Sequence, residues 1–128
     1  MQDVEVIQPF NNAAVLALRG EHDMATKEEL ARLLSDEIGA NDLVVVDVTD
    51  AVFVDSSFLH NLVKADRLAS DRGSRFVLQM GTARIVRAAI EISGLLAVLD
   101  CAHSRDEALS RVPPAAAPTG SAGGDTQK

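Results

Sequence analysis

At 128 residues, with 47% apolar residues, the chain has the size and composition of one domain with a real core. It has no Trp or Tyr, only four Phe, and a formal net charge of −7, so it lacks both the stacking platforms and the basic patch of a nucleic-acid binder. A single cysteine, Cys101, excludes an internal disulfide. No stretch reaches the ~18 consecutive apolar residues of a membrane span, and the N-terminus reads as neither a basic leader nor a signal sequence, so a soluble, cytoplasmic protein is expected.

Val4 to Ile7 and Ala13 to Arg19 read as two strands joined by the turn residues Pro9, Asn11 and Asn12, an antiparallel opening pair. The period then changes. Thr26 and Glu29 have the spacing of a capping box, and Leu30, Leu33, Leu34 and Ile38 share one stripe, which predicts a helix over about 26–38. Leu43 to Val46 is a continuous apolar run, as in a strand covered on both faces, and its end is expected at Asp47 to Asp50. After the short apolar piece 51–54 a second helix is predicted from near Ser56 to near Gly73, with Phe58, Leu59, Leu62, Val63, Ala65 and Ala69 inward and His60, Lys64, Arg67 and Asp71 outward.

Arg75 to Met80 predicts another strand, and Ile85 to Ile90 a third helix stopping at Gly94. Leu96 to Leu99 is expected as a last short strand. Ser104 and Glu107 form a second capping box that opens a final helix with Leu109 and Val112. The order β-β-α-β-α-β-α-β-α implies an α/β fold with a mixed, mostly parallel sheet of about five strands and about four helices. Residues 1–112 form the domain in this reading. Residues 113–128, rich in Pro, Ala and Gly and without a large apolar side chain, are expected to form a disordered tail.

Chemistry concentrates at one junction. Asp55-Ser56-Ser57 lies between a buried strand and a helix, where the first-turn N–H groups have no intrahelical partner. Either Asp55 or Ser56 could cap that turn. A phosphate on a hydroxyl at a helix N-terminus would meet free donors and the positive end of the dipole, so the fold would tolerate it. A partner surface matched to a small neutral hydroxyl would be repelled. The acidic charge gathers in the same half: residues 1–55 hold twelve Asp/Glu against three Lys/Arg, and residues 56–128 hold seven against nine.

These segments resemble the STAS domains of bacterial anti-sigma factor antagonists. Gly20-Glu21-His22-Asp23 with Thr26 is similar to the family's G-E-L-D…T segment, Phe53-Val54-Asp55-Ser56-Ser57 with Leu59 to its F-x-D-S-S-G-L loop, and Ser93-Gly94-Leu95 to its late S-G-L. The resemblance implies a STAS-like fold over about residues 4–112. It further implies an anti-sigma factor with serine kinase activity as binding partner, a serine phosphatase that reverses the modification, and no catalysis by the antagonist itself. Ser56 would be the phosphorylation site, Ser57 would shape the loop, and Glu21, Asp23 and Asp55 would belong to the docking surface.

Two positions depart from the family pattern. Phe58 replaces glycine and would either point into the core, screen Ser56, or serve the partner as an apolar anchor. His22 replaces leucine and reads as an exposed loop histidine. No cofactor or metal is implied: one cysteine and three histidines at 22, 60 and 103 have no ligand spacing, and no phosphate-binding glycine motif occurs. Cys101 has no obvious activating base beside it. The competing function keeps the fold and drops the switch, making the chain a constitutive STAS module of a signalling scaffold or a transporter.

Overall fold

The structure, a computed structural model, describes residues 3–113, so the expected tail lies from Pro114 onward outside the described residues. Among the described residues the elements are β1 (Val4–Phe10), β2 (Ala13–His22), α1 (Lys27–Ala40), β3 (Leu43–Val54), α2 (Ser56–Asp71), β4 (Arg75–Gln79), α3 (Arg84–Ile92), β5 (Asp100–Ala102) and α4 (Arg105–Leu109). The five strands form one sheet in sequential order, β1 antiparallel to β2 and the rest parallel. The predicted α/β class and element order both hold.

The apolar run in β3 explains the layering. Val44, Val46 and Val48 face one side with Leu16, Leu18 and Leu78, beneath α1, α2 and α3, and Leu43 and Val45 face the other with Ala13, Val15 and Val77 beneath α4. A strand covered on both faces has no need to alternate polar and apolar residues. The short α4 is fixed by charge as well as by Ala108: the Arg105 guanidinium donates to Asp47 Oδ2 at 2.9 Å and to Gln79 Oε1 at 3.1 Å. Asp47 and Gln79 are both buried, so this arginine satisfies groups that water cannot reach.

Three boundaries differ from the expectations. β3 does not end at Asp47 but continues for 12 residues to Val54, following β2 through two register shifts. The polar residues that suggested an end are accommodated, because Asp47 meets Arg105 and accepts from the Thr49 N–H at 2.8 Å, while Thr49 and Asp50 face solvent. Leu96 to Leu99 is not a strand. Gly94, at φ 80°, leads into a 3-10 turn over Leu95–Ala97, Leu95 and Leu99 are buried four residues apart, and the last strand is β5. Helical spacing within a short apolar run has the look of β structure.

Thr26, third, forms no side-chain cap on α1. Asp23 takes that role one turn earlier, capping a 3-10 turn over Met24–Thr26, and the Thr26 hydroxyl donates back to the Asp23 carbonyl at 3.3 Å. At the second box the serine half forms as expected, Ser104 Oγ accepting from the Glu107 N–H at 3.0 Å, while Glu107 Oε1 accepts at 2.9 Å from the N–H of His103, one residue before the cap.

Gly81, after β4, passes close to β3. A Cβ at this position would lie 2.6 Å from Thr49 Cα, a clash of backbone with backbone that no rotamer relieves. Gly81→Ala is therefore expected to cost about 2 kcal/mol or more in chemical denaturation, and a cost below ~0.5 kcal/mol would contradict the close approach.

On α2, burial and the neighbouring Asp100 charge, in that order, push the Asp66 carboxyl above the usual aspartate range. A raised acid disfavours the fold when ionised, so Asp66→Asn should stabilise the protein near neutral pH. The gain should shrink as pH falls through the carboxylate range, where the native aspartate takes up its proton. A gain that grows on acidification, read from denaturation midpoints, would contradict this sign.

Candidate functional site

Parallel pairing of β2 with β3, in register at His22 and Val54, brings the C-terminal ends of both strands to one place. The Asp55 N–H donates to the His22 carbonyl at 3.2 Å, so Asp23 and Asp55, each the residue after this pair, stand side by side. Each caps the turn that it opens. Asp23 Oδ1 accepts from the Ala25 N–H at 2.9 Å, and Asp55 Oδ1 accepts from the Phe58 N–H at 3.1 Å while its carbonyl receives Leu59 N–H at 3.1 Å.

The capping alternative at α2 thus resolves to Asp55, leaving Ser56 as the first helical residue. Its side chain is exposed, and its hydroxyl has no hydrogen-bond partner among the described residues. Asp55 directly precedes it and Asp23 stands beside Asp55, while Glu21, exposed and in register with Phe53, lies one residue before the buried His22 and so points to the opposite face of β2. The first turn of α2 offers the compensating positive end of a helix dipole.

Phe58 is 1% exposed and points into the main core, away from Ser56. Of the three orientations open to it, this one leaves the hydroxyl accessible. Ser57 is also buried, its hydroxyl 3.7 Å from Met24 Sδ. The structure therefore brings Asp23, Asp55 and Ser56 together at the strand ends, leaves Glu21 one residue earlier on the other side of β2, and places Ser57 and Phe58 beneath the strand ends as support.

His22 is not an exposed loop residue. β2 runs on through it, its side chain faces the core with Leu18 on the same side, and it is fully buried. Its ring packs against Phe58 with centroids 5.8 Å apart and an interplanar angle of 49°. Nε2 lies 3.0 Å from the Arg19 carbonyl, which can only accept, so Nε2 carries the proton and Nδ1 is left buried without a partner among the described residues. The two departures from the family pattern, at 22 and 58, are thus one contact.

Sequence reasoning misses the apolar part of this surface. Met24 is 69% exposed and Phe53 41% exposed, and both border the acidic residues. Met24 falls just before an expected helix start and Phe53 within an apolar strand piece, so nothing in the linear pattern marks either as exposed. Among the described residues no cluster of His, Cys, Asp and Glu could hold a metal ion, and no helix is long and apolar enough to cross a membrane. Cys101, whose thiol burial and then Asp100 push above its usual range, lies on β5, away from the strand ends that carry Ser56.

The chain is similar in fold to SpoIIAA, an anti-sigma factor antagonist, in its unphosphorylated form, with a TM-score of 0.72 and 23% identity over 84% of this chain and 94% of that one. The phosphorylated form of SpoIIAA, described as a Bacillus cell fate determinant, gives a TM-score of 0.65 and 23% identity over 84% and 97%. An anti-sigma factor antagonist from Mycobacterium paratuberculosis gives 0.70 and 22% over 85% and 92%. No curated protein matches the chain. Residues 8–112 match the family described as "Mlab, STAS domain". With most of its length matched in this way, on a sheet and helices arranged as in SpoIIAA, the chain belongs to the STAS domain family.

Proposed function

We propose that the protein is a cytoplasmic anti-sigma factor antagonist that binds an anti-sigma factor with serine kinase activity, and that phosphorylation of Ser56, reversed by a serine phosphatase, controls this binding. The observation that carries the reading is the exposed, unpartnered Ser56 hydroxyl at the mouth of α2, between two aspartates already committed to capping. A dianion there gains the helix dipole within its own domain but meets Asp23, Asp55 and an incoming partner as added negative charge. Asp23, Asp55 and Ser56 make the polar docking surface, and Ser57 and Phe58 hold its shape from below. The acidic rim selects a basic partner face and speeds encounter with it. The antagonist performs no catalysis in this scheme.

The likeness to SpoIIAA in both unphosphorylated and phosphorylated forms supports the reading by fold. Incubation with ATP and a co-encoded kinase-like anti-sigma factor, followed by mapping of the modified peptide, tests it: phosphate should appear on Ser56 and vanish in Ser56→Ala. Two observations favour a second reading, a constitutive STAS module of a scaffold or transporter assembly. The matched family description names Mlab rather than an antagonist, and Phe58 replaces the family's glycine. Recovery of membrane transporter subunits, and no kinase-like protein, in a pull-down would decide for it.

A further inference from the structure

Four of the large apolar side chains exposed among the described residues fall in one short stretch, Ile85 and Ile92 on α3 and Leu96 and Val98 in the turn that follows. One face of α3 does the ordinary work of a helix, since Val86 and Ile90 enter the main core. A second stripe faces solvent. Ile85, 63% exposed, and Ile92, 87% exposed, stand seven residues and so two turns apart, almost in line, with the exposed Ala88 between them. An apolar stripe that the core does not use marks a contact surface.

Charge identifies the occupant. Arg84 and Glu91 each precede an isoleucine of the stripe by one residue, so these opposite charges lie two turns apart on the same flank of it. When a second α3 is laid antiparallel on the stripe, Ile85 of each helix meets Ile92 of the other, Ala88 lets the axes approach at the crossing, and Arg84 faces Glu91 at both ends. The complement of the pattern is the same pattern reversed. Glu91 already meets Arg87 of its own helix, at 3.7 Å through Oε2, which leaves Oε1 to accept from another copy.

We propose that the chain forms a two-fold symmetric homodimer through α3, with Ile85, Ala88 and Ile92 at its centre and Arg84 opposite Glu91 on its rim. Such an interface uses the same patch on both copies and closes at two. One short helix and its following turn from each copy make a contact at the small end of the specific range, so a reversible, concentration-dependent dimer is expected. The inference stands on α3 alone and does not depend on phosphorylation of Ser56.

Sedimentation equilibrium of the full chain over a range of concentrations, with the α3 amide signals followed by NMR, tests the proposal. A monomer–dimer equilibrium is expected, with concentration-dependent shifts centred on residues 84–98. Ile92→Lys should fold normally and weaken association at least about tenfold, ~1.4 kcal/mol. Arg84→Glu and Glu91→Arg should each weaken self-association, because each sets like charges together at both ends. An equimolar mixture of these two variants should regain the wild-type affinity as a heterodimer, since both rim contacts then join opposite charges. A chain that stays monomeric at every concentration, a dimer indifferent to Ile92→Lys, or variants that do not recover on mixing would overturn the interface. Occupation of this face by lipid vesicles or by an anti-sigma factor, with the free chain monomeric, would equally overturn it.

Discussion

Ser56→Asp should bind the anti-sigma partner at least about tenfold more weakly than the wild type, ~1.4 kcal/mol or more, while Ser56→Ala binds about as well. The asymmetry comes from the geometry. The wild-type hydroxyl makes no hydrogen bond to the described residues, so its removal withdraws little beyond a hydrogen bond to the partner. A carboxylate adds charge at a point already flanked by Asp23 and Asp55, and a partner matched to the hydroxyl must bury that charge or stay out.

Neither change should unfold the domain. Asp55, not Ser56, accepts the Phe58 N–H, so Ser56→Ala leaves the cap intact and should alter stability by less than ~0.5 kcal/mol. Aspartate at the first helical position is favoured by the dipole. Equal affinity of Ser56→Asp and wild type, measured calorimetrically with both variants folded, would contradict the switch.

Phe58→Gly, which restores the residue usual in the family's loop, should be among the most damaging single substitutions in this chain. Phe58 is among the largest fully buried side chains, and removal of a buried phenyl ring costs about 3–5 kcal/mol through lost transfer energy and the cavity left behind. Glycine in the helix adds up to ~1 kcal/mol. About 4 kcal/mol or more is a large share of the ~5–15 kcal/mol that holds an ordinary domain folded.

The partner in this packing is His22, whose ring would lose its contact and face the cavity. The double variant His22→Leu/Phe58→Gly should therefore cost less than the sum of the two single changes, as expected for residues in direct contact. Denaturant unfolding of the four proteins reads the coupling. A cost below ~1 kcal/mol for Phe58→Gly, or strict additivity, would show that the ring does not hold the site from below.

Where the pattern is periodic, the linear sequence carries the fold. The unbroken apolar run at the start of β3 announces a strand covered on both faces, and Asp55-Ser56-Ser57 between that strand and an amphipathic stretch locates the mouth of α2. The failures come where long-range contacts replace local preference. Asp47 reads as a strand end because an aspartate in a sheet interior is costly, and that cost is offset by the Thr49 N–H together with Arg105, which arrives from 58 residues away. Thr26 has the right spacing to cap α1, yet Asp23 reaches the free N–H groups first through a 3-10 turn.

His22 misleads for a related reason. Whether a histidine at a strand end faces water depends on how far the strand runs, and β2 extends because β3 extends beside it. The exposure of Met24 and Phe53 is equally invisible, since nothing in a residue's own neighbourhood in sequence says which apolar side chains the helices leave uncovered.

Intact mass spectrometry of the protein isolated from its native cells, with peptide mapping across 55–67, is the most direct test. A fraction carrying one phosphate, all of it on Ser56, is expected, with that fraction released from the anti-sigma factor. A chain that is never modified at Ser56 under any growth condition, and that stays bound to the same partner throughout, would contradict it.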